Sequence, residues 1–165
     1  MNSDEADIPV TPAIRMLREQ GVAFDLMSYT YAEHGGTGNA AAQLGAPEHA
    51  VIKTIVMETD AKAPLICLMH GDRVISTKQL ARTLGVKHIG PCTQETATRH
   101  TGYMIGGTSP FGTRKELPVY VEATIFDLPE IWINAGRRGV LARMKPEALE
   151  SLLKGVRVNV ATAPF

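Results

Sequence analysis

Along this chain the apolar positions change period several times, and each change marks an element. Thr11-Pro12-Ala13-Ile14-Arg15-Met16-Leu17-Arg18-Glu19-Gln20-Gly21 joins an N-cap threonine and a proline at the first helical position to apolar residues at 13, 14 and 17 and a closing glycine, which predicts a helix. Over 22–29, Val22, Phe24 and Leu26 alternate with Ala23, Asp25 and Met27, the period-two pattern of a strand with one buried face. Asn39 is placed to cap a short helix over 40–44 that stops at Gly45. The runs 51–57 and 65–70 predict two strands of a hairpin. Ser76, an apolar stripe at Leu80, Ala81 and Leu84, and Gly85 predict a second capped helix.

Beyond it the pattern predicts a short strand at 86–89, a helix over 93–99, a glycine-rich loop over 101–112, and strands at 119–123, 130–134 and 140–144. A helix over 146–154 and a last strand at 156–160 complete the chain. Strands outnumber helices and do not alternate with them one for one. The expected class is therefore α/β in the α+β sense, a mixed, largely antiparallel sheet flanked by helices rather than a doubly wound parallel one. No repeat, low-complexity linker or charge run divides the chain, so a flexible segment over 1–10 and a single domain over 11–165 are expected.

Composition narrows the picture. With 165 residues, 44% of them apolar and 21% charged, the chain is long enough to bury one core. Lys plus Arg and Asp plus Glu both number 17, so no global basic field draws nucleic acid and any RNA contact must come from a local patch. Of the two cysteines, Cys67 lies in the apolar run Pro64-Leu65-Ile66-Cys67-Leu68-Met69 and reads as buried strand, not half of a disulfide. A reducing, cytoplasmic setting is expected: the acidic N-terminus has no basic-then-apolar leader, and no apolar run approaches the ~20 residues needed to span a bilayer.

Three places have the residues for chemistry. Lys53 shares a strand face with Val51, Ile55 and Met57, so its stem leaves an apolar surface. Such a lysine snorkels to solvent, guards a sheet edge, pairs with an acid, or lines a cleft where it meets an anion or a polarised carbonyl. Gly102, Gly106, Gly107 and Gly112 allow main-chain N–H groups to converge on an oxyanion or phosphate, although the spacing is neither a Walker A nor a dinucleotide fingerprint and, taken alone, an ordinary structural loop is the readier explanation. Asn134-Ala135-Gly136-Arg137-Arg138-Gly139 presents two guanidiniums on a turn, suited to phosphate or simply to solvent, and Arg114 and Lys115 extend the basic surface. The histidines at 34, 49, 70, 88 and 100 have no metal-ligand spacing, and neither Ser109 nor Cys92 has the setting of a nucleophile, so metal and covalent catalysis are not expected. Trp132 and Phe126 read as core residues.

These motifs together resemble the YbaK/EbsC family of aminoacyl-tRNA deacylases, relatives of the bacterial prolyl-tRNA synthetase editing domain. The resemblance rests on Thr11-Pro12-Ala13-Ile14, Val51-Ile52-Lys53-Thr54, Thr101-Gly102-Tyr103-Met104-Ile105-Gly106-Gly107-Thr108-Ser109-Pro110-Phe111-Gly112 and Ala135-Gly136-Arg137-Arg138-Gly139. It implies an editing domain acting in trans on mischarged tRNA, above all tRNA for proline carrying cysteine or another small amino acid, with prolyl-tRNA synthetase as a possible partner and no metal or cofactor. By the same resemblance Lys53 is catalytic, and Tyr29, Gly106, Gly107, Thr108, Ser109, Pro110, Gly136, Arg137 and Arg138 bind substrate, with amides near Gly106 and Gly107 steadying the oxyanion. Two departures touch the amino-acid pocket: Gly36 stands where cysteine-specific members have Phe, and Leu141 where they have Asp. A leucine offers nothing to an α-ammonium group, which leaves the amino acid open. The rival readings are a non-catalytic tRNA- or nucleotide-binding module of translation and a hydrolase of nucleotides or small esters.

Overall fold

The computed structural model describes residues 7–163. Its helices are α1 (Pro12–Glu19), α2 (Gly36–Leu44), α3 (Thr77–Leu84), α4 (Gln94–Thr101) and α5 (Ala148–Ser151). The strands are β1 (Phe24–Ser28), β2 (Val51–Thr59), β3 (Pro64–His70), β4 (Val74–Ile75), β5 (Ile89–Pro91), β6 (Val119–Glu122), β7 (Ile131–Arg137), β8 (Val140–Met144), β9 (Val156–Val158) and β10 (Ala161–Thr162). The main sheet runs β1-β8-β7-β2-β3-β6-β9, with β5 also on β2, while β4 and β10 pair separately. The β1/β8, β7/β8, β2/β3 and β2/β5 pairs are antiparallel; β2/β7, β3/β6 and β6/β9 are parallel. The sheet is mixed and largely antiparallel, as expected.

Local signals hold where their chemistry is local. The Thr11 hydroxyl accepts the Ile14 N–H (3.1 Å), the Ser76 hydroxyl accepts that of Gln79 (3.2 Å), and left-handed Gly85 closes α3. Asn39 differs from its expected role: α2 already begins at Gly36, and the Asn39 amide lies one turn in, donating with Gln43 to the Thr30 carbonyl. The strand expected at 86–89 forms at 89–91, and the helix expected over 146–154 is confined to α5. The last strand is cut at Val158 because the Val160 and Ala161 N–H groups turn to the buried Glu122 carboxylate, at 2.6 and 3.0 Å, instead of a ladder partner.

Period two on β2 sorts its residues between layers. Ile52 and Val56 face the main core, where Ala13, Ile14 and Leu17 of α1 and Leu149 of α5 close one side of the sheet. On the other side Met57, Leu65, Cys67 and Met69 pack under Leu80 and Ala81 of α3, while Val51, Trp132 and Leu141 pack under Ala40 and Ala41 of α2. Cys67 is a free, fully buried thiol, pushed up to about 12 first by burial and then by Glu122. Of the expected N-terminal segment, residues 1–6 lie outside the described residues, and Ile8 packs against the main core. No described helix is long and apolar enough to cross a membrane.

Candidate active site

A gap in the sheet creates the site. On the side of β2 away from β3, β7 pairs only at Val51 and Ile52, and β5 pairs only at Met57, Glu58 and Thr59. The register of β7 shifts between Asn134 and Arg137, the mark of a β-bulge, which bends that strand away. At the other end β5 stops at Pro91, and the Cys92 N–H makes one more bond to β2, to the Val56 carbonyl (3.1 Å), before the chain turns into α4. Between them, β2 residues 53–56 line a cleft of about 580 Å3, within the usual range of small-ligand sites. The first turn of α2, α4 and the glycine-rich loop form its other walls.

Lys53 lies on the α2/α3 face, between the two smaller apolar clusters. Its Nζ donates to the main-chain carbonyl of Arg73, and among the described residues no carboxylate is within ion-pair distance. Burial pulls this ammonium below the usual lysine range, with Glu48 and Asp72 opposing at longer range. A cation held by a neutral acceptor retains donors for an oxyanion or phosphate.

The carbonyl that aims Lys53 belongs to a braced turn. The His49 Nδ1 donates to the Asp72 carboxylate (2.7 Å), and Arg73 lies 3.2 Å from the same side chain. Burial works to raise the Asp72 carboxyl, but the His49 hydrogen bond and charge and the Arg73 charge outweigh it and lower it overall. The His49 ring stacks on His70, centroids 3.7 Å apart. His70 donates from Nδ1 to the His49 carbonyl and accepts the Thr124 hydroxyl at Nε2, both at 2.7 Å; burial, its largest influence, lowers its pKa and favours this neutral form. Gly71 is seated so tightly that a Cβ there would lie 2.5 Å from the Glu48 carbonyl.

The loop and the arginine turn are strapped together at the mouth. Asn134 Nδ2 donates to the Gly106 carbonyl (2.9 Å), Arg138 Nε donates to the Ile105 carbonyl (2.7 Å), and the Arg138 guanidinium lies 5.0 Å from the centre of the Tyr31 ring. Gly106 has φ +82°, and a Cβ there would meet Tyr31 at 2.7 Å. The Gly107 N–H donates to the Met104 carbonyl (2.9 Å), which corrects the expectation that it faces an oxyanion; the Gly106 N–H has no acceptor among the described residues. Burial, its largest influence, raises the Tyr29 phenol above its usual range and keeps it a donor.

Of the residues expected at the site, Lys53, Tyr29, Gly106, Thr108 and Arg138 line the cleft. Gly107, Ser109, Pro110, Gly136 and Arg137 do not. Ser109 and Pro110 are buried, the Ser109 hydroxyl accepting the Phe111 N–H at 3.1 Å; Gly136 packs against Tyr103 and Thr11, and Arg137 is exposed at the end of β7. Gly36 and Leu141 both line the cleft. Sequence reasoning missed Tyr31, Thr37, Thr54 and Asn134 at the site. The Asx-type contact from Asn134 Oδ1 to the Gly136 N–H (2.8 Å) was the one available local signal.

The sequence profile of the family described as "Aminoacyl-tRNA editing domain" matches residues 36–152. A protein of Enterococcus faecalis (strain ATCC 700802 / V583), named as a candidate Cys-tRNA(Pro)/Cys-tRNA(Cys) deacylase, EbsC, is 28% identical over 153 residues, covering 92% of this chain and 93% of its own. A crystal structure described as a candidate trans-editing enzyme for prolyl-tRNA synthetase superposes with a TM-score of 0.80 at 22% identity, covering 94% of this chain and all of its own. One described as hypothetical protein APE2540 superposes with a TM-score of 0.84 at 19% identity, covering 92% and 100%. The two structures share the fold.

Proposed function

The chain belongs to the aminoacyl-tRNA editing domain family, and on that premise we propose that its cleft deacylates mischarged tRNA in trans, with Lys53 as the residue that meets the ester. The observation that carries this reading is the lysine's setting: an ammonium at the wall of a cleft, bonded to a neutral carbonyl and without a carboxylate partner among the described residues. Water adds to the ester carbonyl carbon, the charge that builds on its oxygen is stabilised by Lys53 and the Gly106 N–H, and the bond to the ribose oxygen breaks, that oxygen taking a proton as it leaves. The proposed setting of the reaction is the cytoplasm.

The amino-acid lobe lies under α2, where Ala40, Val51 and Leu141 supply apolar walls and Tyr29 a hydroxyl. Such a lobe favours a small side chain, and cysteine on tRNA for proline, named for the Enterococcus relative, is the leading candidate. Glu33 is the one acidic side chain among the lining residues and takes the part of α-ammonium partner that Leu141 cannot. Prolyl-tRNA synthetase is the proposed donor of the tRNA.

A panel of tRNA for proline charged with cysteine, alanine and other small amino acids tests this reading. The pure protein is expected to release one of them, and Lys53→Ala to slow that release about 100-fold or more. Release from no member of the panel overturns the hydrolase reading in favour of a binding module; equal rates for the variant remove Lys53 from the chemistry.

A further inference from the structure

The gap that admits Lys53 also strips one strand residue of its ladder partner. The Cys92 N–H donates to the Val56 carbonyl (3.1 Å), so the even-numbered residues of β2 turn their main-chain groups away from β3 and toward the gap. Ile52 meets β7 there and Glu58 meets β5. Thr54 is left between them: among the described residues no strand pairs with it on that side. Its side-chain Oγ1 is likewise buried and has no hydrogen-bond partner among the described residues. Buried polar groups are as a rule paired, so three open groups on one cleft-lining residue ask for a ligand.

Their arrangement defines its chemistry. In an extended residue the N–H and C=O point the same way, side by side, and present one donor beside one acceptor. An apolar slot surrounds them, with Val56, Pro91, Ala97 and Ile105 among its walls. A flat group with an acceptor beside a donor on one edge fits such a slot, and the Watson–Crick edge of adenine, N1 beside the N6 amino group, is that group. The slot lies toward α4, on the opposite face of β2 from the α2 lobe, with Lys53 at the gap between them. We propose that the open edge at Thr54 is the nucleobase subsite, reading the terminal adenine while the ester lies at Lys53 and the amino acid lies under α2. This inference rests on the reading of the substrate as an aminoacyl ester of a 3′-terminal adenosine.

Binding of adenosine 5′-monophosphate to the whole protein, followed by amide NMR, tests it apart from catalysis. Before any ligand is added, the Thr54 amide is expected to exchange with solvent much faster than those of its neighbours Lys53 and Ile55, which face β3. On addition of the nucleotide the Thr54 amide shifts and is protected. Inosine 5′-monophosphate, which reverses the donor and acceptor on that edge, binds about tenfold more weakly. Thr54→Val, which keeps the shape and the main chain and deletes Oγ1, weakens the adenine nucleotide several-fold while leaving the preference over inosine. Equal binding of the two nucleotides, or binding that leaves the Thr54 amide unmoved, overturns the proposal. Adenine-selective protection of Thr54 in a protein that releases no amino acid from any charged tRNA leaves this subsite standing and sinks only the hydrolase.

Discussion

The two halves of the glycine-rich segment 101–112 are made of similar residues and are used in opposite ways. From Met104 to Thr108 the chain rides at the mouth of the cleft: Met104 and Ile105 are 64% and 46% exposed, and the turn is held by its own Gly107–Met104 bond and by side chains, Asn134 and Arg138, with Gly106 seated against Tyr31. From Ser109 to Gly112 it dives inward: Ser109 and Phe111 are fully buried, the Tyr103 hydroxyl donates to the Phe111 carbonyl (2.7 Å), and a Cβ on Gly112 would lie 2.6 Å from the Pro12 carbonyl. The first half is where function can be lost without the fold, the second where the fold goes first. Glycine serves close approach in both, but the neighbour approached is a side chain, the Tyr31 ring, in one and α1's backbone in the other.

The sharpest way to break this division is Phe111→Ala. Truncating a fully buried aromatic leaves a cavity against α1 and is expected to cost about 3–5 kcal/mol in chemical denaturation, with the specific activity of the folded fraction unchanged. A loss of activity without a loss of stability reverses the assignment of the two halves. Gly106→Ala sharpens the other side. Its positive φ costs roughly 1–2 kcal/mol and its Cβ displaces Tyr31, so deacylation falls about tenfold or more while the core is untouched; a variant that melts early yet turns over normally sinks the idea that the mouth is separate from the fold.

The smallest effect is electrostatic. Because the folded protein lowers the Lys53 pKa, the unfolded chain holds its proton more tightly, and stability rises with pH between the folded value and the ordinary lysine value. Below the folded value the cost of the buried charge is fully present. Lys53→Met removes it, so a Tm gain of roughly 1–2 °C is expected at neutral pH, fading as pH climbs through the folded pKa toward the ordinary one. A gain that grows with pH contradicts the burial argument.

How far the site was legible follows the same line. Lys53 stood out because a charged residue breaks an apolar face, Gly106 because glycines cluster over 102–112, and Arg138 because two adjacent guanidiniums sit on one turn. Ser109 and Pro110 carried the same motif but are buried, since nothing in a run of small residues says which side of it meets the core. Thr54 gave no signal at all: a threonine in a strand is ordinary until its ladder partner is missing. Asn39 looked like a cap because its side chain competes for backbone groups, and it does so, for the Thr30 carbonyl of another segment.

What the chain determines alone is what neighbours in sequence decide: the caps of α1 and α3, the hairpin of β2 and β3, and the odd-even sorting of β2 that sets Lys53 apart from Ile52 and Val56. Each depends on periodicity or on contacts a few residues apart. The cleft belongs to the tertiary structure. It exists because β7 parts from β2 after Ile133, where its bulge follows, and β5 ends at Pro91, and those two events border the same few residues of β2 only once strands from distant parts of the chain have found their order and register.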